Sequence, residues 1–378
     1  MPTMTYLTTC VFDHGAIKQL PTILKRLGAT RPLLVTDAGI RAAGVLAQAE
    51  AAFGGPFTAV YDGTPTNPTE PAVREAAALY REAGCDSLVA LGGGSSMDLA
   101  KGVGLWATHE GPYDKYAAVS GGAKLIGKIP PLVAAPTTAG TGSEVSVGAV
   151  IIMDSGRKET FVSANLIPAT AICDPELSVG LPPRLTAATG MDAMTHCIEA
   201  YLGAPVNPPA EAIGLDGVWR GIGQGWLKRA VADGADKDAR WHMMMASYQG
   251  ALAFVKGLGA VHGLSHALGR MADLKLHHGT LNAIILPPSL AMIEERGLAP
   301  EKMARLAQAM GLGPGARVSE AIARLIADIG IPARLSEVGV TEGHLESALP
   351  YALSDLATAS HTFPFGEAEY RELFARSL

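Results

Sequence analysis

The chain has 378 residues, of which 48% are hydrophobic and only 17% are charged. With a mean hydropathy of +0.21, this composition indicates a globular protein large enough for two domains and excludes an intrinsically disordered chain. The net charge of −6 provides no basic surface of the kind that binds nucleic acid, so we expect no nucleic-acid partner.

The cysteines follow no disulfide or zinc-binding spacing: they are Cys10, Cys85, Cys173 and Cys197. Reduced thiols of this kind are typical of the cytoplasm. The amino terminus lacks the charged and apolar blocks of a signal peptide, and no apolar run reaches the roughly 20 residues of a membrane span. We therefore expect a cytoplasmic protein that does not enter the membrane.

Strand and helix patterns alternate in the first half of the chain. Buried strands are predicted over 32–36, 57–61, 87–91 and 132–135, and helices over 16–26, 40–52, 69–82 and from the glycines at 92–94 to 106. Thr69 is a suitable N-cap for the third of these helices, with Pro71 in its first turn. The alternation predicts an α/β fold whose mainly parallel sheet has helices on both faces.

The carboxyl ends of the predicted strands carry residues suited to a nucleotide. They are Asp37, the segment 64–68, the three glycines 92–94 and the loop 136–144. Glycines between a strand and a helix let backbone N–H groups approach a pyrophosphate, although the same glycines also suit a tight turn. Asp37 could accept hydrogen bonds from the ribose of NAD and would repel the extra phosphate of NADP. We predict an NAD site, but not the standard Rossmann site, because the first strand-helix junction lacks GxGxxG.

The pattern becomes helical after about residue 182. Helices are predicted over 184–201, 210–230, 237–255, 258–268, 281–294, 300–310 and 318–329, without a comparable strand signal. We therefore predict a dinucleotide-binding α/β domain over residues 1–182 and an all-α, metal-binding domain over residues 183–378, with a cleft between them.

Histidines cluster in the predicted helical domain. His262 and His266 are four residues apart, which places both on one face of a helix, and Asp192 and His196 have the same offset. Iron(II) and zinc both accept imidazole and carboxylate ligands together. Either pair alone is also typical of hydrogen-bonded histidines, but the two pairs and the later His278 together predict a catalytic metal site with an open coordination position.

Four motifs together resemble the iron-containing (group III) alcohol dehydrogenase family. They are GGGSSMD (92–98), PTTAGTGSE (136–144), GMDAMTH (190–196) and VHGLSH (261–266). The resemblance extends from about residue 5 to near the carboxyl terminus. It implies iron, or alternatively zinc, held by Asp192, His196, His262 and His278, and it implies that the non-ligand His266 relays a proton between the substrate and solvent.

The same resemblance implies a set of residues that bind NAD. They are Asp37, Asn67, Gly93, Gly94, Ser95, Thr137, Thr138, Ser143, Val147 and Lys158. Thr137 could instead cap a turn, and Lys158 could be a solvated surface charge. The family also implies a homo-oligomer, a dimer or larger.

Within the family, the chain is most similar to the 4-hydroxybutyrate dehydrogenases, through segments 33–37, 254–259 and 276–283. This implies interconversion of 4-hydroxybutyrate and succinic semialdehyde. Arg270 and Lys275 lie between His266 and His278, where a cation could bind the substrate carboxylate, although they could also be exposed loop charges. At 361–365, HTFPF replaces the Asn-Pro-Arg or Asn-Pro-Lys of many relatives, so an uncharged, aromatic or phosphonate-bearing aldehyde is the alternative substrate.

Two other classes of enzyme have a metal site that could give similar motifs. A lyase similar to dehydroquinate synthase would need several basic residues for a phosphate group, and the motifs supply few. A metallohydrolase would need no nicotinamide site, whereas the glycine-rich loops favour one. The sequence therefore predicts a metal-dependent NAD(H) alcohol dehydrogenase acting on a small alcohol or aldehyde.

Overall fold

The computed structural model describes residues 8–271 and 274–378, which divide into two compact units. We call residues 8–138 and 142–178 the α/β unit, and residues 139–141 and 179–378 the helical unit. Each of the two has its own buried hydrophobic residues.

A parallel sheet is the centre of the α/β unit. The strands of this unit are β1 (Thr9–Phe12), β2 (Pro32–Val35), β3 (Ala59–Tyr61), β4 (Ser87–Gly92), β5 (Leu132–Pro136), β6 (Gly148–Ile152), β7 (Lys158–Val162) and β8 (Thr170–Cys173). Six of them pair in parallel in the order β1-β8-β5-β4-β2-β3, and β6 and β7 form a separate antiparallel hairpin. Strands such as β4 and β5 are buried along their whole length, because a parallel sheet is covered on both faces.

Helices connect these strands much as the sequence predicts. They are α1 (Leu20–Arg26), α2 (Ala38–Ala42), α3 (Val45–Phe53), α4 (Glu70–Glu82) and α5 (Gly94–Thr108). The Thr69 side chain caps α4 by accepting a hydrogen bond from the amide of Ala72, which confirms the predicted N-cap. The single helix predicted over 40–52 is wrong, because Gly44 has a φ of +77° and separates α2 from α3.

The helical unit consists of ten labelled α-helices in the described residues. They are α6 (Pro183–Leu202), α7 (Pro208–Val218), α8 (Trp226–Ala232), α9 (Lys237–Ala253), α10 (Ala260–Leu268), α11 (His278–Glu295), α12 (Pro300–Ala309), α13 (Val318–Asp328), α14 (His344–Ser354) and α15 (Glu367–Ser377). The fold class is confirmed: a parallel α/β unit is followed by an all-α unit. The continuous helix predicted over 210–230 is wrong, because a π-helical turn at Trp219–Gly223 and Gly225, with a φ of +73°, separate α7 from α8.

Helix α6 is buried on nearly every side, which suits its central place in the helical unit. It packs against α7, α9 and α11, so polar groups on α6 face other protein groups and not water. Within residues 8–271 and 274–378, no helix is both long enough and apolar enough to cross a membrane.

Candidate metal and nucleotide sites

Helices α6, α10 and α11 bring the four predicted metal ligands together. Asp192 Oδ1 lies 3.8 Å from His196 Nε2, 3.7 Å from His262 Nε2 and 3.5 Å from His278 Nε2. Asp192, His196 and His262 are buried, and their ligand atoms lie within 4.8 Å of one another. The His278 side chain is 34% exposed and lies at the open side of this group. The carboxylate of Asp192 with the imidazoles of His196 and His262, and a third imidazole next to the carboxylate, is a suitable donor set for iron(II) or zinc.

A glycine allows the ligand-bearing helices to approach closely. A Cβ atom on Gly279 would lie 2.2 Å from the carbonyl oxygen of Ala188, which is backbone that cannot move aside. Only glycine therefore fits directly after His278, and its small size lets the first turn of α11 lie against α6. The His-Gly pair in the sequence thus has a steric reason.

Glu199, which the sequence analysis did not single out, holds the imidazole of His262. Its Oε2 lies 2.6 Å from His262 Nδ1, and its Oε1 accepts a hydrogen bond of 2.9 Å from the amide of Val261. A proton on Nδ1 leaves the Nε2 lone pair facing Asp192, as a metal ligand requires. Glu199 lies seven residues after Asp192 on the same face of α6, so helical spacing was the available signal.

The pKa values of this pair follow from the short contact. Burial opposes ionisation of Glu199, but hydrogen bonds from His262 and the backbone outweigh it, and its pKa lies below the usual range. Burial also opposes protonation of His262, but the negative charges of the Asp192 and Glu199 carboxylates beside its ring raise its pKa to about 9. Glu199 is therefore an ionised, buried hydrogen-bond acceptor for His262.

Asn282 is a second residue that the sequence analysis missed. Its Nδ2 donates a hydrogen bond of 2.7 Å to Asp192 Oδ1 and lies 3.1 Å from both His262 Nε2 and His278 Nε2. Asn282 is fully buried and follows His278 by one helical turn, which explains its position beneath the ligands. Its amide orients the carboxylate of Asp192.

His266 lies beside the ligand group, next to a carboxylate. Its Nδ1 lies 3.0 Å from Asp355 Oδ2, and its ring stacks on that of His278 at 5.1 Å between centroids. Burial opposes ionisation of Asp355, but the contact with His266 outweighs it and lowers the pKa of the carboxyl. Asp355 can accept the Nδ1 proton of His266, which leaves Nε2 as the ring atom that can give or take a proton.

The two predicted substrate cations lie in different surroundings. The Arg270 guanidinium lies over the ring of Tyr351, 4.0 Å from its centroid. Arg270 follows His266 by four residues and Tyr351 precedes Asp355 by four, so the two pairs lie side by side where α10 meets α14. Lys275 is exposed, has a φ of +48° and lines a pocket together with His277 and Thr280.

The aromatic residues of the segment 361–365 pack within the helical unit. Phe365 is buried against the ring of Tyr370 at 4.8 Å, and the Arg296 guanidinium lies 4.8 Å from the ring centroid of Phe363. His361 is buried as well, and its Nδ1 accepts a hydrogen bond of 3.2 Å from the amide of Ala260. These rings stabilise the fold around α15.

The glycine loop after β4 fits a bound pyrophosphate. Gly92 has a φ of +153°, and a Cβ atom there would lie 2.5 Å from Ser96 Oγ, so glycine is required. Gly93 is the N-cap of α5, which begins at Gly94 with its amides directed out of the helix. The amide of Thr137 donates to the Gly92 carbonyl oxygen at 3.0 Å, which places the second predicted loop beside the first.

Asp37, Asn67, Ser95 and Lys158 surround this loop. Asp37 caps α2 by accepting a hydrogen bond of 3.0 Å from the amide of Ile40, and its Oδ2 lies 3.4 Å from Ser96 Oγ. The Ser95 hydroxyl donates to the Thr66 carbonyl, and Lys158 Nζ donates to Asn67 Oδ1 at 3.5 Å. These contacts connect Ser95 to the segment that carries Asn67, with Lys158 paired to Asn67, and they place Asp37 next to the start of α5.

The remaining predicted nucleotide residues lie on the loops after β5. Thr137 is buried, and its Oγ1 has no hydrogen-bond partner among the described residues. A Cβ atom on Gly93 would lie 3.4 Å from Thr138 Oγ1, so Thr138 borders the glycine loop. Ser143 is buried, whereas Val147 is 36% exposed.

Comparison with known proteins agrees with this geometry. Residues 8–175 match the family model "Iron-containing alcohol dehydrogenase", and residues 186–378 match "Fe-containing alcohol dehydrogenase family, C-terminal". The chain is 50% identical to a 4-hydroxybutyrate dehydrogenase of Cupriavidus necator and 37% identical to a 1,3-propanediol dehydrogenase of Citrobacter freundii, with at least 96% of each chain covered. A solved 1,3-propanediol oxidoreductase superposes over 100% of both chains with a TM-score of 0.92 at 35% identity. The chain therefore belongs to the iron-containing alcohol dehydrogenase family.

Proposed function

We propose that this metal-dependent alcohol dehydrogenase interconverts 4-hydroxybutyrate and succinic semialdehyde, with Asp192, His196, His262 and His278 as its metal ligands. The family gives the enzyme iron and NAD as cofactors. One observation carries the choice of substrate: Arg270 follows His266 by four residues, just beyond the end of α10, and His266 itself stacks on the proposed ligand His278. The 50% identity to a 4-hydroxybutyrate dehydrogenase supports it.

The residues around the ligands have distinct parts in this reaction. When bound, iron(II) polarises the carbonyl oxygen of the aldehyde, and NADH supplies the hydride. His266 donates a proton to the developing alkoxide oxygen and takes it back in the reverse direction, while Asp355 keeps its imidazole oriented. Glu199 and Asn282 keep the ligand atoms in place.

Arg270 suits the carboxylate of a four-carbon substrate. The chain continues as a turn from α10 through Gly269 to Arg270, so the four residues from His266 rise by about 6–8 Å, which is comparable with the length of 4-hydroxybutyrate from its hydroxyl to its carboxylate. Stacking on Tyr351 occupies the flat face of the guanidinium, whereas a carboxylate binds to its edge. The Tyr351 ring therefore does not compete with a carboxylate for the N–H groups of Arg270.

A comparison of two aldehydes tests the substrate. The wild-type enzyme should reduce succinic semialdehyde with a higher kcat/KM than butanal, which has the same number of carbons and no charge. Arg270→Met should lower kcat/KM for succinic semialdehyde about 20-fold, the usual effect of losing one charge-assisted hydrogen bond, and should leave the value for butanal within about twofold.

Lys275→Met is the matched control, because it removes the other predicted cation. It should change neither kcat/KM value by more than about twofold if Arg270 binds the carboxylate. A wild-type preference for butanal, or an equal loss on both aldehydes in Arg270→Met, would reject the proposed substrate while leaving the dehydrogenase class intact.

We also propose that Asp37 selects NAD(H) over NADP(H). Its carboxylate lies at the carboxyl end of β2, 3.4 Å from Ser96 Oγ beside the glycine loop, where it would repel a ribose phosphate. Asp37→Ser keeps an N-cap for α2 and removes the charge, so kcat/KM with NADPH should rise about tenfold, with a smaller change for NADH. Steady-state rates with both cofactors check this prediction. An unchanged kcat/KM with NADPH would mean that residues other than Asp37 select the cofactor.

The homo-oligomer and the cytoplasmic location stay predictions. The four cysteines are free, which is consistent with a reducing compartment. A monomer measured by light scattering would reject the oligomer.

A further inference from the structure

Lys101 is a fully buried lysine in the middle of α5. A buried ammonium is stable only when its three N–H groups have acceptors. Lys101 Nζ donates to Ser143 Oγ at 2.8 Å, to the Ser146 carbonyl at 3.1 Å and to the Gly148 carbonyl at 2.7 Å. Ser143 and Ser146 lie in the loop between β5 and β6, and Gly148 is the first residue of β6.

Two of these acceptor residues flank Val147, one on each side. The carbonyls of Ser146 and Gly148 both bind the same ammonium, and the Val147 carbonyl accepts a hydrogen bond of 3.0 Å from the amide of Ser163. The backbone on both sides of Val147 is therefore fixed, while its side chain stays 36% exposed. Lys101 thus presents Val147 at the surface in one conformation.

Asp98, one turn before Lys101 on α5, completes the network. Its Oδ1 accepts a hydrogen bond of 2.6 Å from Ser143 Oγ, and its Oδ2 accepts one of 3.0 Å from the amide of Val150. The Ser143 hydroxyl thus accepts from Lys101 and donates to Asp98, so its role is to anchor the loop. Burial lowers the pKa of Lys101 to about 8, which leaves the ammonium largely protonated at neutral pH.

The helix that carries Lys101 also carries the glycine loop. Gly93 and Gly94 begin α5, and Lys101 lies two turns further along, so the ammonium connects the pyrophosphate-binding end of α5 to the loop of Ser143 and Val147. We propose that Lys101 is a positioning residue for the dinucleotide. It fixes the loop 143–148 against α5 and thereby keeps this loop at a constant distance from the glycine loop at the start of α5. This inference rests on the proposed use of NAD(H).

Lys256 provides a matched comparison in the helical unit. It is also buried, and its Nζ donates to the carbonyls of Ala200 and Gly203, at 2.9 Å and 2.6 Å, at the end of α6. It forms an ion pair of 2.9 Å with Glu211 as well. Both lysines are therefore buried cations that bind backbone carbonyls, but only Lys101 binds a loop with predicted nucleotide residues.

Cofactor binding by Lys101→Met and Lys256→Met tests the proposal. The Kd for NADH is measured by fluorescence titration, and the Tm of each variant is measured in parallel. Both variants should lose thermal stability, because each leaves backbone carbonyls unpaired. Only Lys101→Met should raise the Kd for NADH, by about tenfold or more, whereas Lys256→Met should stay within about twofold of the wild type.

The outcomes separate positioning from general stability. A Kd for NADH that is unchanged in Lys101→Met, or raised equally in both variants, would overturn the proposal. Should Lys101→Met fail to fold, Asp98→Asn replaces it: loss of the carboxylate charge that accepts hydrogen bonds from Ser143 and Val150 should raise the Kd about threefold, and an unchanged Kd would overturn the proposal. A wild-type protein that binds no NADH would instead reject the proposed use of NAD(H).

Discussion

Glu199→Gln should weaken iron(II) and zinc binding by about 10- to 100-fold, although Glu199 is not a metal ligand. The glutamine has nearly the same shape, but its NH2 group can donate a hydrogen bond to His262 Nδ1, which now lies 2.6 Å from a carboxylate oxygen. That arrangement places the imidazole proton on Nε2, the atom that faces Asp192, and a protonated Nε2 cannot bind a metal. Competition with a chelator of known affinity measures the change.

Glu211→Gln is the control for this prediction. Glu211 is in the same unit and accepts a hydrogen bond of 2.9 Å from Lys302, and it forms ion pairs with Lys302 and Lys256, neither of which is a proposed metal ligand. Its replacement should leave the metal Kd within about twofold of the wild type. Equal metal affinity in Glu199→Gln and the wild type would mean that His262 does not depend on Glu199 for its tautomer.

His266→Ala should lower kcat about 100-fold while the metal content per chain stays near that of the wild type. The reason is its position: His266 stacks on the proposed ligand His278, but it lies outside the Asp192, His196 and His262 group, and its Nδ1 lies 3.0 Å from Asp355 Oδ2. Loss of this imidazole removes the proton donor for the alkoxide oxygen and leaves the ligands in place. Steady-state kinetics and metal analysis on the same preparation give both values.

Two further variants make this result specific. Asp355→Asn should lower kcat by a smaller factor, about tenfold, because it keeps the imidazole and removes only the carboxylate that orients it. His242→Ala removes a histidine that stacks on Trp226, and it should leave kcat within about twofold. Loss of metal in His266→Ala would show that His266 is a ligand and would contradict the proton-relay role.

Local spacing was sufficient to predict much of the fold and of the metal group. Asp192 and His196 are on the same face of α6 because they are four residues apart, and the alternation of strands and helices predicts the parallel sheet. The hairpin of β6 and β7 was missed, although Gly156, with a φ of +78°, marks its turn. The breaks at Gly44 and Gly225 were missed because an isolated glycine in a helical pattern does not always end the helix.

Contacts between distant segments could not be read from the sequence. Asp355 is 89 residues from His266, and Glu199 is 63 residues from His262, so only the folded helices bring these pairs together. The aromatic side chains at 363 and 365 suggested an apolar substrate pocket, but Phe363 lies against Arg296 and Phe365 against Tyr370. A sequence does not show whether an aromatic residue packs in the core or faces a ligand.

The most direct measurement is a titration of chelator-treated protein with iron(II), in which the rate of NADH oxidation by succinic semialdehyde is followed. The four converging donor atoms of Asp192, His196, His262 and His278 predict a rate near zero before addition and a linear rise that ends at one iron per chain. Asp192→Ala should show no such rise. A full rate without added metal, or the same titration curve in Asp192→Ala, would contradict a metal-dependent reduction at this site.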